Sequence, residues 1–218
     1  MHNVSLIPHP DMPANAVDAI LCGIAVDCDG KAALNYIVSA DPAALKLAPA
    51  CVPEWRDELW HTTCFELFVR CGDELSYREY NFAPSGAWAA YHFDDYRSRM
   101  APLDTAPPCI LTSNKQQFDA SMAVELARQG IESAMIEAML AMECDDAPGP
   151  ASQFAMSVQL DGLDAHRASP LRIALSAVIE EIDGTKSYWA LRHPPGPPDF
   201  HHRDCFALTL GAPDAHDC

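Results

Sequence analysis

The fold is decided by one stretch, residues 57–97, whose sequence is DELWHTTCFELFVRCGDELSYREYNFAPSGAWAAYHFDDYR. Apolar and polar residues alternate along it, which predicts three consecutive antiparallel strands. The predicted connections are a first loop at 71–74 and a second, short loop that contains Pro84 and Gly86. Because successive side chains of a strand point to opposite sides, the three strands should form a sheet with one apolar and one polar face.

The two loops set a predicted register for these strands. The first loop places Glu66 opposite Glu79. The second loop, counted as two residues long, places Asn81 opposite Trp88. The apolar face then contains Phe65, Leu67, Val69, Tyr80, Phe82, Ala89, Tyr91 and Phe93. The polar face contains Cys64, Glu66, Glu79, Asn81, Trp88 and His92. A shift of one residue would exchange the faces, and a two-residue loop prefers primed turns over the type I turn that Pro84 favours.

The composition of the 218 residues argues against several classes of function. A formal net charge of −17 disfavours binding to a phosphate backbone or an anionic membrane surface, so neither partner is expected. No apolar run is long enough to span a bilayer. The first residues lack the layout of a secretory signal, so a cytoplasmic location is expected. The nine cysteines include no close CxxC pair, which favours reduced thiols over a disulfide framework.

The rest of the chain adds further strands to one domain, residues 1–218. The chain should begin with an extended lead-in at 1–16 and end with a short polar tail at 211–218. Further strands are predicted at 19–26, 34–38, 109–113, 118–126, 171–182, 185–192 and 205–210. Residues 127–150 fit a helix and a strand equally well. Strands at this spacing, with turns between them and little helix, predict an all-β antiparallel β-sandwich.

The strongest short hairpin signal is Asp183-Gly184. Counted as a two-residue loop, it places Glu181 opposite Lys186, and opposite charges across two strands support that register. The same register places Trp189 beside Val178, which indicates that this indole lies in the core.

Three segments together resemble a known family. They are WHTTCFELFV at 60–69, YREYNFAPSGAWAAYHFDDYR at 77–97 and SAVIEEIDGTKSYWALRHPPGPPDFHHRDCFALTL at 176–210. They are similar to the bacterial DOMON-like proteins that are related to family 9 carbohydrate-binding modules. The resemblance implies a jelly-roll-like β-sandwich whose relatives bind sugars or b-type haem on one concave sheet. Some sugar-binding relatives also carry structural calcium.

The resemblance also suggests residues for each ligand. Sugar-binding relatives clamp the sugar between aromatic rings, for which Trp88 and Trp189 are the nearest equivalents here, with Trp60 and Tyr188 as substitutes. Haem-binding relatives use a Met with a His or Lys as axial ligands. The candidate haem pairs are Met100 with His92, or Met156 with one of the late histidines.

The facing pair Glu66 and Glu79 is the main polar feature of the predicted sheet. Like charges directly opposite each other are destabilising, so a nearby Arg, a cation, a shared proton or a hydroxyl-bearing ligand would explain the pair. Alternatively, both carboxylates are simply solvated on an exposed face. In an enzyme, they could form a glycosidase dyad. Trp88, with polar neighbours, fits a stacking platform for a sugar.

The late histidines allow two interpretations. His193, His201, His202 and Asp204 could ligate a metal, although adjacent histidines of an extended chain point in different directions. They could instead form the rim of a ligand site on a loop that is stiffened by proline. Arg97 and Arg192 could donate to hydroxyls or a carboxylate.

These observations favour a non-catalytic module that binds a small ligand, a carbohydrate or a sugar derivative, on a sheet face. The predicted ligand-binding residues are Glu66, Glu79, Asn81, Trp88, His92, Arg97, Trp189, His193, His201 and His202. No metal and no cofactor are required, although haem b and calcium are alternatives. The alternative functions are a haem-binding redox module, a glycoside hydrolase that uses the two glutamates, and a protein-interaction domain.

Overall fold

The protein is described by a computed structural model that covers residues 1–113, 153–163 and 169–211. Within these ranges the chain forms twelve β-strands, and its helices are three short 3-10 turns. The strands are β1 (His2–Pro8), β2 (Val17–Val26), β3 (Ala32–Ala40), β4 (Cys64–Cys71), β5 (Tyr77–Phe82), β6 (Trp88–Phe93), β7 (Ala101–Pro102), β8 (Cys109–Ser113), β9 (Gln153–Leu160), β10 (Leu171–Glu180), β11 (Lys186–Ala190) and β12 (Leu208–Leu210). The 3-10 turns are Pro42–Ala44, Leu59–His61 and Arg203–Cys205.

The strands form an antiparallel β-sandwich, as the sequence predicts. Their hydrogen-bonded order is β7-β6-β5-β4-β10-β11-β1-β2-β3-β9-β8, and β12 pairs with β10. We call the part from β7 to β11 the front sheet and the part from β2 to β8 the back sheet. Strand β1 pairs with β11 through Ile7 and Pro8 and with β2 along the rest of its length, so it joins the two sheets. The predicted lead-in therefore contains a structural strand.

Between the two sheets lies the main core. Tyr36 of the back sheet packs against Phe65 of the front sheet with ring centroids 4.9 Å apart, and Phe65 also stacks on Phe154 at 6.0 Å. The hydroxyl of Tyr36 donates a hydrogen bond of 2.9 Å to the backbone oxygen of Glu66. Because each fully buried large apolar side chain contributes about 1.5–3 kcal/mol, this core fixes how the sheets face each other.

Most predicted strands are confirmed, and the exceptions are informative. The strand at 109–113 and the hairpin of β2 and β3 occur as expected. Strand β9 was not predicted, and the last strand begins only at Leu208 because residues 203–205 form a 3-10 turn. The predictions for 118–126, for helix or strand at 127–150, and for nearly all of the tail at 211–218 lie outside the described residues.

The predicted register of β6 is wrong by one residue. Ala83 N donates to Ala87 O and Gly86 N donates to Ala83 O, both at 2.9 Å, so the loop contains three residues rather than two. Gly86 has φ of +96°, as expected for a type I turn that is followed by a left-handed bulge residue. Phe82 therefore pairs with Trp88. The extra residue turns Trp88 into the main core, where it is 6% exposed.

The hairpin of β10 and β11 differs from its prediction in the same way. Glu181 N donates to Thr185 O, and Gly184, with φ of +89°, donates to Glu181 O. Lys186 consequently pairs with Glu180 rather than with Glu181. Trp189 pairs with the core residue Ala177 and lies in the core, which agrees with its core interpretation and not with its place among the predicted ligand-binding residues.

The observed pairing of β4 with β5 is shifted by two residues from the predicted register. Glu66 lies opposite Asn81, and Glu79 lies opposite Phe68. The connection is longer than the predicted loop at 71–74, since Val69 and Arg78 are the last pair before it, and within it Glu74 N donates to Cys71 O at 3.1 Å. A shift of two residues preserves the faces of a strand. Glu66 and Glu79 are therefore diagonal neighbours on one face instead of direct partners.

Replacing Gly86 with alanine should lower the free energy of unfolding by about 1–2 kcal/mol, because L-residues are strained in the left-handed region. An added Cβ would also lie 3.3 Å from the backbone oxygen of Cys51. Gly184→Ala is the matched control, since it has a similar φ of +89° but nothing within 4 Å of the added Cβ. Urea denaturation should show the larger loss for Gly86→Ala. Equal losses would contradict the contact with Cys51.

Candidate functional site

The outer face of the front sheet carries a second, smaller apolar cluster that surrounds several polar side chains. Alternation along the strands places Phe68, Tyr77, Tyr91 and Val178 on this face. The cluster is covered by the segment after β11, which contributes apolar residues such as Phe200. The predicted polar face of β4 and β5 is therefore real, but much of it is buried beneath a loop.

A cleft of about 460 Å³ opens on this face, and we call it the glutamate cleft. Strand residues that line it are Glu66, Glu79, Phe93, Val178, Lys186 and Tyr188. Residues from the connecting segments around it are Trp60, His61, Arg97, Met100, Phe200 and His201. Five strands thus supply a rigid floor, and three connecting segments supply the walls.

Glu66 is the more deeply placed of the two carboxyl groups, with an exposure of 2%. Its Oε2 accepts a hydrogen bond of 2.9 Å from the hydroxyl of Ser176 on β10. Burial and the nearby charge of Glu79 raise the pKa of Glu66 from 4.5 to about 8. At neutral pH this side chain is therefore mainly a neutral carboxylic acid, which can both donate and accept a hydrogen bond.

Glu79 belongs to a chain of polar contacts along one side of the cleft. Its Oε1 accepts a hydrogen bond of 2.7 Å from the amide of Asn81, and its Oε2 lies 3.7 Å from Nε2 of His201. The Nδ1 atom of His201 lies 2.8 Å from the hydroxyl of Tyr77. Burial raises the pKa of Glu79 to about 7 and, with the charge of Arg97, lowers the pKa of His201 to about 4.

The lowered pKa of His201 favours its neutral form at neutral pH. A neutral His201 has one donor and one acceptor nitrogen. The Tyr77 hydroxyl already accepts a hydrogen bond of 3.1 Å from the backbone N–H of Arg97, so it can donate to Nδ1 of His201. The N–H of His201 then lies on Nε2 and faces Glu79. The part of His201 that faces Glu79 is therefore a neutral N–H group and not a positively charged imidazolium.

Arg97 is the basic residue that is fixed at the rim of the cleft. Its Nη2 and Nε donate to one carboxylate oxygen of Asp199 at 2.8 and 3.3 Å. The hydroxyl of Tyr96 donates to the other oxygen of Asp199 at 2.7 Å. Asp199 follows the proline-rich run at 194–198, so this ion pair ties that loop to the segment after β6. About half of the Arg97 side chain remains exposed and can meet a ligand.

The structure brings only some of the predicted site residues together. Glu66, Glu79, Arg97 and His201 line the glutamate cleft. Asn81 is fully buried beneath it and supports Glu79 instead of reaching the cleft.

The other predicted site residues lie elsewhere, and these placements correct the sequence interpretation. Trp88 and Trp189 are in the main core. His92 lies on the opposite face of β6, where Nε2 is 3.2 Å from Asp94. His193 Nε2 bonds the backbone oxygen of Ile7 at 2.9 Å and so holds the loop against β1. His202 accepts from the backbone N–H of Asp204 at 3.2 Å, at the start of a 3-10 turn.

Trp60 and Tyr188, named from the sequence only as substitutes, line the cleft together with Phe93 and Phe200. Sequence reasoning named Met100 only as a haem ligand and missed His61, Phe93, Lys186, Pro198 and Phe200 as residues of the cleft. Phe93 was assigned to the wrong face by the error in the β6 register. His61, Pro198 and Phe200 lie in connecting segments, whose side chains follow no alternating pattern that would reveal them.

In the described residues, the fold does not bring together the side chains that the metal and haem alternatives require. Within residues 1–113, 153–163 and 169–211, no three His, Cys, Asp or Glu side chains are arranged to hold a metal ion. Met156 lies in the main core, behind the front sheet. Met100 lines the glutamate cleft, whereas His92 is on the other face of the sheet. Neither predicted pair of axial ligands is therefore assembled.

The fold and the cleft define the chain as an antiparallel β-sandwich with a small-molecule-sized site on one outer face. One similar solved structure is the crystal structure of a "putative carbohydrate-binding protein" from Bacteroides uniformis, with a TM-score of 0.58 and 12% sequence identity. The match covers 96% of this chain and 85% of that chain. No protein-family model and no curated protein sequence matches. At this identity the similarity establishes a shared fold.

In the described part of the chain, no helix is both long and apolar enough to cross a bilayer.

Proposed function

We propose that the chain is a non-catalytic binding module that holds a carbohydrate or a sugar derivative in the glutamate cleft. The observation that carries the proposal is the combination of two buried carboxyl groups with the exposed parts of Trp60 and Tyr188 in one cleft. The resemblance to DOMON-like proteins and family 9 carbohydrate-binding modules supports it, as does the description of the structure from Bacteroides uniformis.

The chemistry of the cleft suits a ligand with several hydroxyl groups. A hydroxyl both donates and accepts hydrogen bonds, and a carboxylic acid such as Glu66 at neutral pH can satisfy both roles. Arg97 adds donors at the rim, and the indole and phenol rings offer apolar area for the CH faces of a sugar ring. The volume of about 460 Å³ lies within the range of small-molecule sites.

Trp60→Ala should abolish the quenching of tryptophan fluorescence that a bound saccharide causes and should weaken binding by roughly tenfold or more. The expected loss follows from the removal of the only indole that lines the cleft among the described residues. The measurement is a fluorescence titration with a panel of neutral mono- and disaccharides, together with the shift in melting temperature.

The matched control for this titration is Trp55→Ala, because Trp55 is an indole with 42% exposure that does not line the cleft. The control should retain both the quenching and the affinity. If no saccharide changes the fluorescence or the melting temperature of the unaltered protein, the proposed ligand class is wrong.

A further inference from the structure

A group of three arginines lies at the far end of the same outer face. Arg70 on β4 and Arg172 on β10 are direct cross-strand partners, and alternation places both on the outer face. Arg203 approaches from the last 3-10 turn. Like charges directly opposite each other on a sheet are destabilising. This grouping is unexpected in a chain with 14 Lys and Arg against 31 Asp and Glu.

The direct contacts of Arg70 and Arg172 are with neutral groups. The guanidinium carbon of Arg70 lies 4.7 Å from the centre of the Phe206 ring, and its Nε is buried without a hydrogen-bond partner among the described residues. Arg172 donates to the neutral hydroxyl of Thr209 at 2.9 Å. In the described ranges, none of the three arginines forms an ion pair with a carboxylate. Burial, followed by the charges of Arg203 and Arg172, lowers the pKa of Arg70, and the charge of Asp73 opposes this shift.

A second cleft, of about 510 Å³, opens between Arg70 and Arg203, and we call it the arginine cleft. Tyr96, His202 and Phe206 also line it, as do two carboxylates, Asp73 and Asp95. Asp95 is already engaged, because its Oδ1 accepts a hydrogen bond of 2.6 Å from the backbone N–H of Tyr96.

The two clefts are separate sites that share one wall. The hydrogen-bonded pair of Tyr77 and His201 stands between them, and His201 lines both clefts. A ligand can therefore occupy either cleft without entering the other.

We propose that the arginine cleft binds an anionic group, a carboxylate or a phosphate, between Arg70 and Arg203. A guanidinium presents paired N–H donors that match two oxygens of either group, and its packing on Phe206 restricts the orientation of Arg70. Asp73 offsets only part of the positive charge, since the charges of Arg203 and Arg172 act on Arg70 more strongly than that of Asp73, and a bound anion would offset the rest. The proposal does not depend on a sugar in the glutamate cleft.

Calorimetric titration with inorganic phosphate and with glucuronate, at constant ionic strength, shows whether the cleft binds a phosphate or a carboxylate. At least one of them should bind to the unaltered protein and reach saturation. Arg203→Gln should weaken that binding roughly tenfold or more, since a charge-assisted pair is lost. Arg203 is exposed, so the variant should fold. Arg70→Lys is a second variant, which keeps the charge but loses the paired donors.

The matched control is Arg99→Gln, because Arg99 is an exposed arginine paired with Asp94 outside the cleft. It should bind both anions as the unaltered protein does. The absence of saturable binding by both anions, or equal affinity in Arg203→Gln, would overturn the proposal. Trp60→Ala separates the two sites. Glucuronate binding that is lost in Trp60→Ala but retained in Arg203→Gln belongs to the glutamate cleft, and it would also overturn the proposal if phosphate does not bind.

Discussion

Trp88→Ala is expected to lower the free energy of unfolding by about 3–5 kcal/mol, the usual cost of removing a large aromatic side chain from a core. The indole of Trp88 is 6% exposed and packs in the main core between the two sheets. Its loss leaves a cavity that the surrounding strands cannot close, because both sheets are held by backbone hydrogen bonds. Urea denaturation followed by circular dichroism measures the change.

Trp60→Ala is the matched control for this experiment, since Trp60 is a half-buried indole in the wall of the glutamate cleft. It packs edge-on against Tyr91 at 5.8 Å, so its removal should cost about 1 kcal/mol. A Trp88→Ala variant that is as stable as Trp60→Ala would place Trp88 on the outer face. That result would restore the register expected from a two-residue loop and would reject the three-residue loop at Gly86.

Glu66→Gln is expected to stabilise the protein at alkaline pH and to reduce the dependence of its stability on pH. The pKa of Glu66 is raised from 4.5 to about 8 in the folded protein, so the folded state holds a proton that the unfolded state has released. Stability must therefore fall as pH rises from about 4.5 through about 8. Glutamine mimics the neutral acid and can still accept the hydrogen bond from Ser176.

The clearest window for this comparison lies between about pH 6.5 and about pH 8. His201, with its pKa lowered from 6.5 to about 4, makes the protein less stable as pH falls below 6.5, which opposes the effect of the glutamates there. Across the window, the unaltered protein should lose roughly 1–2 kcal/mol more stability than Glu66→Gln. Chemical denaturation at several pH values measures both curves.

Glu74→Gln is the control for the pH experiment, because it removes one exposed carboxylate from the connection between β4 and β5. It should leave the dependence on pH as it is in the unaltered protein. If Glu66→Gln and the unaltered protein give parallel curves, Glu66 is already ionised at neutral pH. The description of its side chain as a neutral donor to a sugar hydroxyl would then fail.

The sequence predicted the strands and the all-β sandwich because alternation is a local property of the chain. It also placed Glu66 and Glu79 on a common face correctly, although their pairing was shifted. A two-residue shift preserves the direction of each side chain, so the predicted face was correct although the predicted register was wrong.

The turns limited the prediction more than the strands did. Both hairpins that were counted with two-residue loops have three, in each case with a glycine at positive φ. Pro84 already favoured a type I turn, so the signal for the longer loop was present in the sequence. The single extra residue moved Trp88 from the predicted binding face into the core and moved Phe93 onto the floor of the cleft.

By itself the sequence determined the strand-rich fold and the carboxyl groups on one face of β4 and β5, because neighbouring residues along a strand fix which way each side chain points. Only the tertiary structure decided which aromatic and basic side chains surround those carboxyl groups. The walls of the cleft depend on contacts between distant residues, such as Arg97 with Asp199 and Tyr77 with His201. Such contacts depend on how loops pack over the finished sheet, and no local pattern in the sequence encodes that packing.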